Sequence, residues 1–292
     1  MASPPTTVVH HLGPTYSDIA KKLGVDEETV RVRIRQVQHA GTIVQWLLEV
    51  NPHVLEREAT SVLLEVNDAS SKQKMISQVK LVDGVVMIID LFDRPLRVEF
   101  YHENETDRQR KLDLIKLICG DKNPTYWQRG FPPCNAKLKR TDWEILKALR
   151  KDPTQSNADI AGKLRVSLRT VKRRLSHMIE ADIIYSHMLG DVKRVPGIAY
   201  SILMNCMNEK QKHEIDKMIL SKLDNAVFVD TRNKHYSLYA AVFHNMGEAE
   251  ETYRWIKKID GTMNIWMNMI REIIPVRAWL DDEIDKHLAE MN

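Results

Sequence analysis

The chain is poor in cysteine and has no long apolar run. It contains only Cys119, Cys134 and Cys206, which are widely spaced. This pattern excludes a disulfide framework and a CxxC metal knuckle, and it predicts reduced, structural thiols. No apolar run reaches the roughly 18 residues of a membrane span, and Met1–Thr7 lacks the features of a signal peptide. We therefore expect a cytoplasmic protein without membrane contacts.

Signatures of common enzymes are missing as well. The sequence has no glycine-rich phosphate loop, no GxSxG and no HExxH. The pair His10-His11 has no partner at a metal-ligand spacing. These absences predict a protein that is not an enzyme and that holds neither a metal nor another cofactor.

The composition is that of an ordinary globular protein. Hydrophobic residues make up 43% and charged residues 28% of the 292 residues, which suffices for about two ordinary or four small domains. The net charge of +3 does not indicate nucleic acid by itself, so the distribution of lysine and arginine must decide.

An internal repeat organises the sequence. At an offset of 141 residues, Ser17–Ile43 aligns without gaps with Ala158–Ile184, and eleven positions are identical. In each copy the apolar spacing predicts two short helices joined by a tight turn. In the second copy the apolar positions are Ile160, Ala161, Leu164, Val171, Leu175 and Met178. With Val166 in the turn and Ser167 as N-cap, this is the pattern of a helix-turn-helix.

The two copies differ in the helix that precedes this motif. In the second copy, the capping box Thr141–Glu144 begins a helix with the apolar stripe Ile145, Leu146 and Leu149. In the first copy, Pro4 and Pro5 occupy the corresponding positions, so that helix is shortened or lost. After each motif an apolar segment suits a wing strand, at 43–50 and 183–189.

An α/β pattern follows each motif. The predicted order in both halves is βαββαβ, which is typical of a ferredoxin-like domain. The predicted elements of the first half are strand 61–66, helix 71–82, strand 85–91, strand 96–101 and helix 107–119. Those of the second half are strand 198–206, helix 209–223, strand 226–230, strand 236–243, helix 248–259 and a last strand near 264–274.

These elements define a domain plan. The predicted fold class is α+β, with two winged helix-turn-helix domains that are each followed by a ferredoxin-like βαββαβ domain, which resembles the Lrp/AsnC effector type. The predicted segments are a degenerate winged helix-turn-helix (1–57), an α/β domain (58–120), a linker or last strand (121–138), a winged helix-turn-helix (139–196) and an α/β domain with a C-terminal helix (197–292).

This organisation resembles the Lrp/AsnC (feast/famine) family of bacterial and archaeal transcription regulators. The resemblance is closest at Leu138–Pro196, and the first half resembles a degenerate copy, so the chain looks like a tandem fusion. The resemblance implies transcription regulation on the nucleoid. It also implies pairing of α/β domains, either in a homodimer or as an intramolecular pseudo-dimer. The turns at 92–95 and 231–235 lack the glycine-and-aspartate pattern of amino-acid sensors, which leaves a small-molecule effector open.

The expected partner is double-stranded DNA, bound mainly by the second copy. Its second helix is basic and should enter the major groove. Arg169, Thr170 and Arg173 are predicted to contact bases. The predicted contacts to phosphate, with the helix-capping serine, are Lys163, Arg165, Ser167, Lys172 and Arg174. Arg174 could equally pair with an acid of its own domain.

The first copy is expected to contribute less. Its second helix opens with Asp26, Glu27 and Glu28, whose charges oppose phosphate binding. Arg31, Arg33 and Arg35 restore some affinity.

Two other functions stay open. Siroheme decarboxylases resemble this family, and His235, Tyr236 and His244 are the residues that could serve such a tetrapyrrole enzyme. A chromatin-organising protein would differ from a regulator only in its low sequence preference.

Overall fold

The computed structural model describes residues 20–21, 24–39, 43–150 and 155–291. They form two compact units. Unit 1 contains the described residues of Met1–Arg57, Phe131–Asp191 and Arg277–Asn292, and unit 2 consists of Glu58–Gly130 and Val192–Val276. No helix among the described residues is long and apolar enough to cross a membrane.

Unit 1 contains the helix-turn-helix elements. Its helices and strands are α1 (Glu27–His39), β1 (Ile43–Val50), α4 (Arg140–Leu149), α5 (Asn157–Leu164), α6 (Leu168–Glu180), β6 (Ile184–Gly190) and α9 (Ala278–Glu290). The numbering follows the chain and includes the elements of unit 2. Before α1, Ala20 and Lys21 are helical. The shortened first helix and the His10-His11 pair of the sequence analysis lie outside the described residues.

The second helix-turn-helix has a well-filled apolar core. Each of its three helices has one buried face. The buried side chains are Trp143, Ile145, Leu146, Leu149, Ile160, Ala161, Val171, Leu175 and Met178. The helical spacing predicts all of these residues except Trp143, and Leu164, which it also predicts, is only partly buried. α4 begins one residue before the predicted capping box, because the Asp142 carboxylate accepts a hydrogen bond from the Lys139 backbone N–H at 2.8 Å.

The two wing strands pair with each other. β1 and β6 form an antiparallel two-stranded sheet, with Val50 opposite Ile184 and Leu47 opposite His187. Each helix-turn-helix therefore contributes one strand to a shared wing. Asn51 reinforces the start of this pairing, since its side-chain amide donates to the carbonyl oxygens of Asp182 at 2.9 Å and Pro132 at 3.0 Å.

The C-terminal helix packs within unit 1. Arg150, which follows α4, forms ion pairs with Asp281 at 3.0 Å and Asp285 at 3.2 Å on α9. The rings of Trp143 and His287 stack with their centroids 4.3 Å apart. The predicted domain 197–292 grouped this helix with the second α/β domain, and the predicted domain boundaries otherwise stay a prediction.

Unit 2 contains two βαββαβ halves. The first half consists of β2 (Glu58–Glu65), α2 (Lys72–Val79), β3 (Val85–Leu91), β4 (Pro95–His102), α3 (Glu105–Cys119) and β5 (Thr125–Gln128). The second half consists of β7 (Ile198–Cys206), α7 (Glu209–Lys222), β8 (Ala226–Asp230), β9 (Tyr236–Phe243), α8 (Met246–Lys257) and β10 (Thr262–Pro275). Segment 121–138 thus supplies the last strand of the first half.

All eight strands form one sheet in the order β5-β2-β4-β3-β10-β7-β9-β8. Within each half the last strand lies beside the first and the third lies beside the second, which is the ferredoxin-like arrangement. The predicted fold class is confirmed. The long strand β10 joins the halves, because Thr262–Met269 pairs with β7 and Ile270–Pro275 pairs with β3.

Each half packs its helices on one face of the sheet. Ile76 and Ile115 anchor α2 and α3 in the first half, and Ile219 and Ile256 anchor α7 and α8 in the second. The opposite faces of the two halves share one apolar cluster, which includes Leu63, Ile89, Trp127, Leu203 and Leu238. We call the space enclosed by these two faces the sheet interior.

Candidate nucleic-acid interface

Two serine N-caps and one residue with left-handed backbone angles fix the geometry of the second helix-turn-helix. The Ser156 hydroxyl accepts a hydrogen bond from the Asp159 backbone N–H, and the Ser167 hydroxyl accepts one from the Thr170 backbone N–H, each at 3.1 Å. Arg165 ends α5 with φ of 53°, a conformation that is unusual for a residue with a side chain. This sharp reversal places α6 across α5, as the helix-turn-helix requires.

α6 has one buried face and one cationic face. Val171, Leu175 and Met178 are buried, whereas Arg169, Lys172 and Arg173 are exposed. Among the described residues, none of these three cations has a hydrogen bond or an ion pair. Their charges are therefore free to meet the phosphates and base edges of DNA.

Arg174 has a different environment from its neighbours. Its guanidinium forms a two-pronged ion pair with Asp142, which is fully buried and also caps α4. The hydrogen bond to Asp142 raises the pKa of Arg174 further. This contact ties α6 to α4, and it supports the structural role that the sequence left open for Arg174 rather than a phosphate contact.

The remaining predicted residues surround the turn. Lys163 donates a hydrogen bond to the Gln155 side chain, and Arg165 is exposed at the end of α5. The hydroxyls of Ser167 and Thr170 bond to each other at 2.9 Å, so both are engaged within the cap of α6. The Thr170 hydroxyl keeps further hydrogen-bonding capacity in this arrangement, because a hydroxyl has one donor and two acceptor positions.

At the start of α1, in the first copy, acidic side chains pair with a basic one and neutralise its charge. Arg31 pairs with Glu27 at 2.8 Å and with Glu28 at 2.9 Å. Asp26 caps α1, and hydrogen bonds from the Thr29 side chain and backbone lower its pKa, which favours a charged carboxylate. The side chain of Arg35 lies outside the described residues. The start of α1 therefore lacks the free cationic surface of α6.

The residues named for a tetrapyrrole enzyme do not converge. His235 precedes β9 and His244 follows it, so the two exposed histidines lie at opposite ends of an extended strand, roughly 30 Å apart. Tyr236 lies in the sheet interior, where its ring stacks on Trp127 with centroids 5.6 Å apart. The described residues hold no group of three or more His, Cys, Asp or Glu that could bind a metal ion.

A charged cluster in the sheet interior was missed by sequence reasoning. Arg129 pairs with Glu99 at 2.9 Å and with Asp230 at 3.3 Å, and all three residues are buried. Arg97 lies in the same interior and is buried as well. The alternation of polar and apolar residues in β4 is typical of a strand with one solvent-facing side, and nothing in the sequence shows that a second sheet face covers it.

Comparisons with known proteins assign the motif and the fold. Residues 138–185 match the family of winged helix-turn-helix DNA-binding domains. No curated protein matches the sequence. The solved structure of the siroheme decarboxylase NirDL with an iron-uroporphyrin III analogue has a TM-score of 0.58 at 12% identity, over 94% of this chain and 92% of that one.

Regulator structures also match, over about half of the chain. AsnC of E. coli has 18% identity and a TM-score of 0.36, over 47% of this chain and 94% of its own. A transcriptional regulator of Neisseria meningitidis in complex with L-Met has 19% identity and a TM-score of 0.36, over 47% of this chain and 91% of its own.

The likeness to NirDL corrects one expectation. The sequence analysis predicted a protein that is not an enzyme, on the ground that common catalytic motifs are absent. That prediction is wrong, because the siroheme decarboxylase NirDL, an enzyme, has the same fold over 94% of this chain. The fold by itself assigns no reaction to the chain.

Proposed function

We propose that this protein is a DNA-binding transcription regulator that reads its operator with α6 of the second helix-turn-helix. The observation that carries the proposal is the exposed row Arg169, Lys172 and Arg173, which has no partner among the described residues. It lies on the helix that enters the major groove in this class of motif. The match of residues 138–185 to a DNA-binding family supports the same reading.

The side chains of α6 have distinct roles in this proposal. Arg169 and Arg173 lie one helical turn apart on the same face, so both can reach base edges, where arginine bonds guanine with two hydrogen bonds. Lys172, with Lys163 and Arg165 from α5 and the turn, contacts phosphate. Thr170 contributes a base contact through the hydrogen-bonding capacity of its hydroxyl that Ser167 does not use.

The chain acts as a tandem of two unequal Lrp/AsnC-like units. The shared wing of β1 and β6 joins the two helix-turn-helix motifs, and the acidic start of α1 makes the first a poor reader. One chain then recognises an asymmetric site, whereas a homodimer would recognise two such sites related by a two-fold axis.

The first prediction is tested by fluorescence anisotropy with the chain's own promoter and a scrambled duplex at two salt concentrations. The Arg169→Ala and Arg173→Ala variants should each lose about 1–3 kcal/mol of promoter binding and approach their affinity for scrambled DNA. Arg254→Ala removes an exposed arginine of α8 and serves as the matched control. Unchanged promoter preference in both α6 variants would refute the assignment.

The salt dependence separates this role from its rivals. Promoter preference that survives the higher salt supports a specific regulator. Equal binding of both duplexes with a steep loss of affinity at high salt would instead indicate a chromatin-organising protein.

The whole-chain likeness to NirDL favours one second candidate, a tetrapyrrole enzyme related to siroheme decarboxylases. It is tested by an absorbance titration of the protein with siroheme. Saturable spectral change, followed by loss of carboxyl groups from the tetrapyrrole, would establish the enzyme. Promoter binding together with an unchanged siroheme spectrum would rule out the enzyme, and the transcription regulator would be the remaining candidate.

A further inference from the structure

Leu168 is an apolar side chain beside the cationic face of α6. It is the first residue of this helix, directly after the N-cap Ser167, and it is 43% exposed. Among the described residues of 140–180, it is the only large apolar side chain that is exposed. Exposed leucines are common on protein surfaces, so exposure alone indicates no role. The position of Leu168 on α6 is what distinguishes it from them.

The helix-turn-helix does not require an apolar residue at this position. In the first copy of the motif, 141 residues earlier, the matching first residue of α1 is Glu27, an exposed acid that pairs with Arg31. The core face of α6 consists of other residues, such as Val171 and Leu175, which are buried. Leu168 therefore exposes apolar surface that the packing of α6 leaves uncovered.

The first turn of α6 is the part that would face the bases of DNA. In helix-turn-helix proteins the N-terminal residues of the second helix contact base edges in the major groove. Each Cα–Cβ bond of a helix tilts towards the N-terminus, so the Leu168 side chain extends towards that end. Arg169 follows directly, and Lys172 lies one turn further along the same side as Leu168. Leu168 thus lies among the side chains assigned to bases and phosphate.

One chemical group of the major groove suits an apolar side chain. Guanine, adenine and cytosine present hydrogen-bond donors and acceptors at their edges, whereas thymine also presents a C5-methyl group. A leucine that covered only donors and acceptors would remove their water without replacing its hydrogen bonds, which is costly. A leucine that contacts the methyl group is favourable, because two apolar surfaces leave water together.

We propose that Leu168 recognises a thymine of the operator by contacting its C5-methyl group. This inference rests on the DNA-binding function proposed above, and it adds the identity of one base to it. The operator then contains a thymine beside the guanines that Arg169 and Arg173 contact.

The test uses the full chain and a set of promoter duplexes in which one thymine at a time is replaced by uracil. This replacement removes the methyl group and keeps the atoms that form hydrogen bonds. In fluorescence anisotropy, uracil at one position should weaken binding of the natural chain by about threefold to tenfold, the effect of one buried methyl group. In Leu168→Ala the same uracil should change the affinity by less than about twofold, because alanine is too short to cover the methyl group.

Two further variants serve as controls. Leu168→Met keeps a long apolar side chain, so its binding should stay sensitive to uracil at that position. Leu117→Ala removes an exposed leucine of α3 in unit 2, and it should bind every duplex as the natural chain does. Leu168→Ala should keep the natural Tm to within about 2 °C, because the changed side chain lies outside the buried face of α6.

The outcomes separate this inference from the function on which it rests. If the natural chain prefers its promoter but no uracil replacement weakens binding, or if the uracil effect is unchanged in Leu168→Ala, the thymine contact is wrong and the regulator stands. Equal weakening of all duplexes by Leu168→Ala would also overturn the contact, because it would indicate packing against the sugar-phosphate backbone. Absence of promoter preference in the natural chain would overturn the proposed function itself, and the thymine contact with it.

Discussion

At the scale of single residues, basic side chains on one helix can have opposite roles. Lys172 is exposed on α6, whereas Arg174, two positions later, is held by the buried Asp142. Their order in the sequence does not separate them, because the partner of Arg174 comes from α4, 32 residues earlier. The helical spacing predicts the buried face of α6 correctly, but only the packed structure shows which arginine is bound.

This difference predicts two separable effects. Lys172→Ala should weaken DNA binding and reduce the slope of log affinity against log salt by about one, because a phosphate contact is lost. Arg174→Ala should leave that slope unchanged. It should instead lower the free energy of unfolding by about 3 kcal/mol, because the buried carboxylate of Asp142 loses its ion-pair partner. Salt titrations and urea unfolding measure the two quantities. A smaller salt slope in Arg174→Ala would reassign that residue to phosphate.

The lowered pKa of Asp107 predicts how the stability of the chain changes at acid pH. Burial raises its pKa, but hydrogen bonds from Arg110 and Lys111 outweigh burial and hold the pKa at about 2, below the ordinary 3.8. A lowered folded-state pKa adds stability above the unfolded value, and this stability is lost as pH falls from about 4 to 2. Asp107→Asn should therefore cost about 2 kcal/mol near neutral pH and almost nothing at pH 2.

Urea unfolding of both proteins across this pH range measures the difference. Asp113→Asn, an exposed carboxylate on the same helix, is the control and should cost little at any pH. A difference between Asp107→Asn and the natural chain that stays constant down to pH 2 would contradict the assigned ion pairs.

At the scale of elements, the alternation of apolar residues predicted the strands closely. Predicted and observed bounds coincide for β3, β7, β8 and β9, because strands that pack helices on one face have a strong periodic pattern. The four-residue β5 was left undecided, since its segment is rich in proline and carries little periodicity. The packing of α9 against α4 depends on contacts between distant residues, which no local pattern encodes.

Gly84 lies in the turn between α2 and β3, and its change to alanine tests the geometry of this turn. Its φ of 78° is left-handed, and a Cβ atom placed there would lie 2.3 Å from the Tyr101 carbonyl oxygen. Gly84→Ala should therefore lower the free energy of unfolding by more than about 1 kcal/mol. Gly162 is helical and has no atom within 4 Å of such a Cβ, so Gly162→Ala should instead stabilise by up to about 1 kcal/mol. Equal effects in the two variants would contradict this account.

At the scale of the whole molecule, the chain is divided into two units that each combine distant segments. Unit 1 gathers its helices from three parts of the sequence, and unit 2 gathers its strands from two. A domain plan read along the chain cannot reveal this, because it assigns neighbours in sequence to the same domain. The α/β pattern did predict the order of elements in both halves of unit 2, because each half has its own series of strand and helix signals.

Two buried isoleucines test whether stability is divided in the same way. Ile284 of α9 and Ile256 of α8 are both fully buried, the first in unit 1 and the second in unit 2. Each change to alanine should cost about 2–5 kcal/mol, because it removes apolar contacts and leaves a cavity. Hydrogen exchange, measured peptide by peptide, should show lost protection in unit 1 for Ile284→Ala and in unit 2 for Ile256→Ala.

The same pair tests whether promoter binding belongs to unit 1. Ile284→Ala should weaken promoter binding, because α9 supports α4 and, through Asp142 and Arg174, the position of α6. Ile256→Ala should leave promoter binding intact, since Ile256 packs in the core of the second half of unit 2. Equal loss of promoter binding in both variants would mean that the chain unfolds as a single cooperative body, and the assignment of promoter binding to unit 1 would then be wrong.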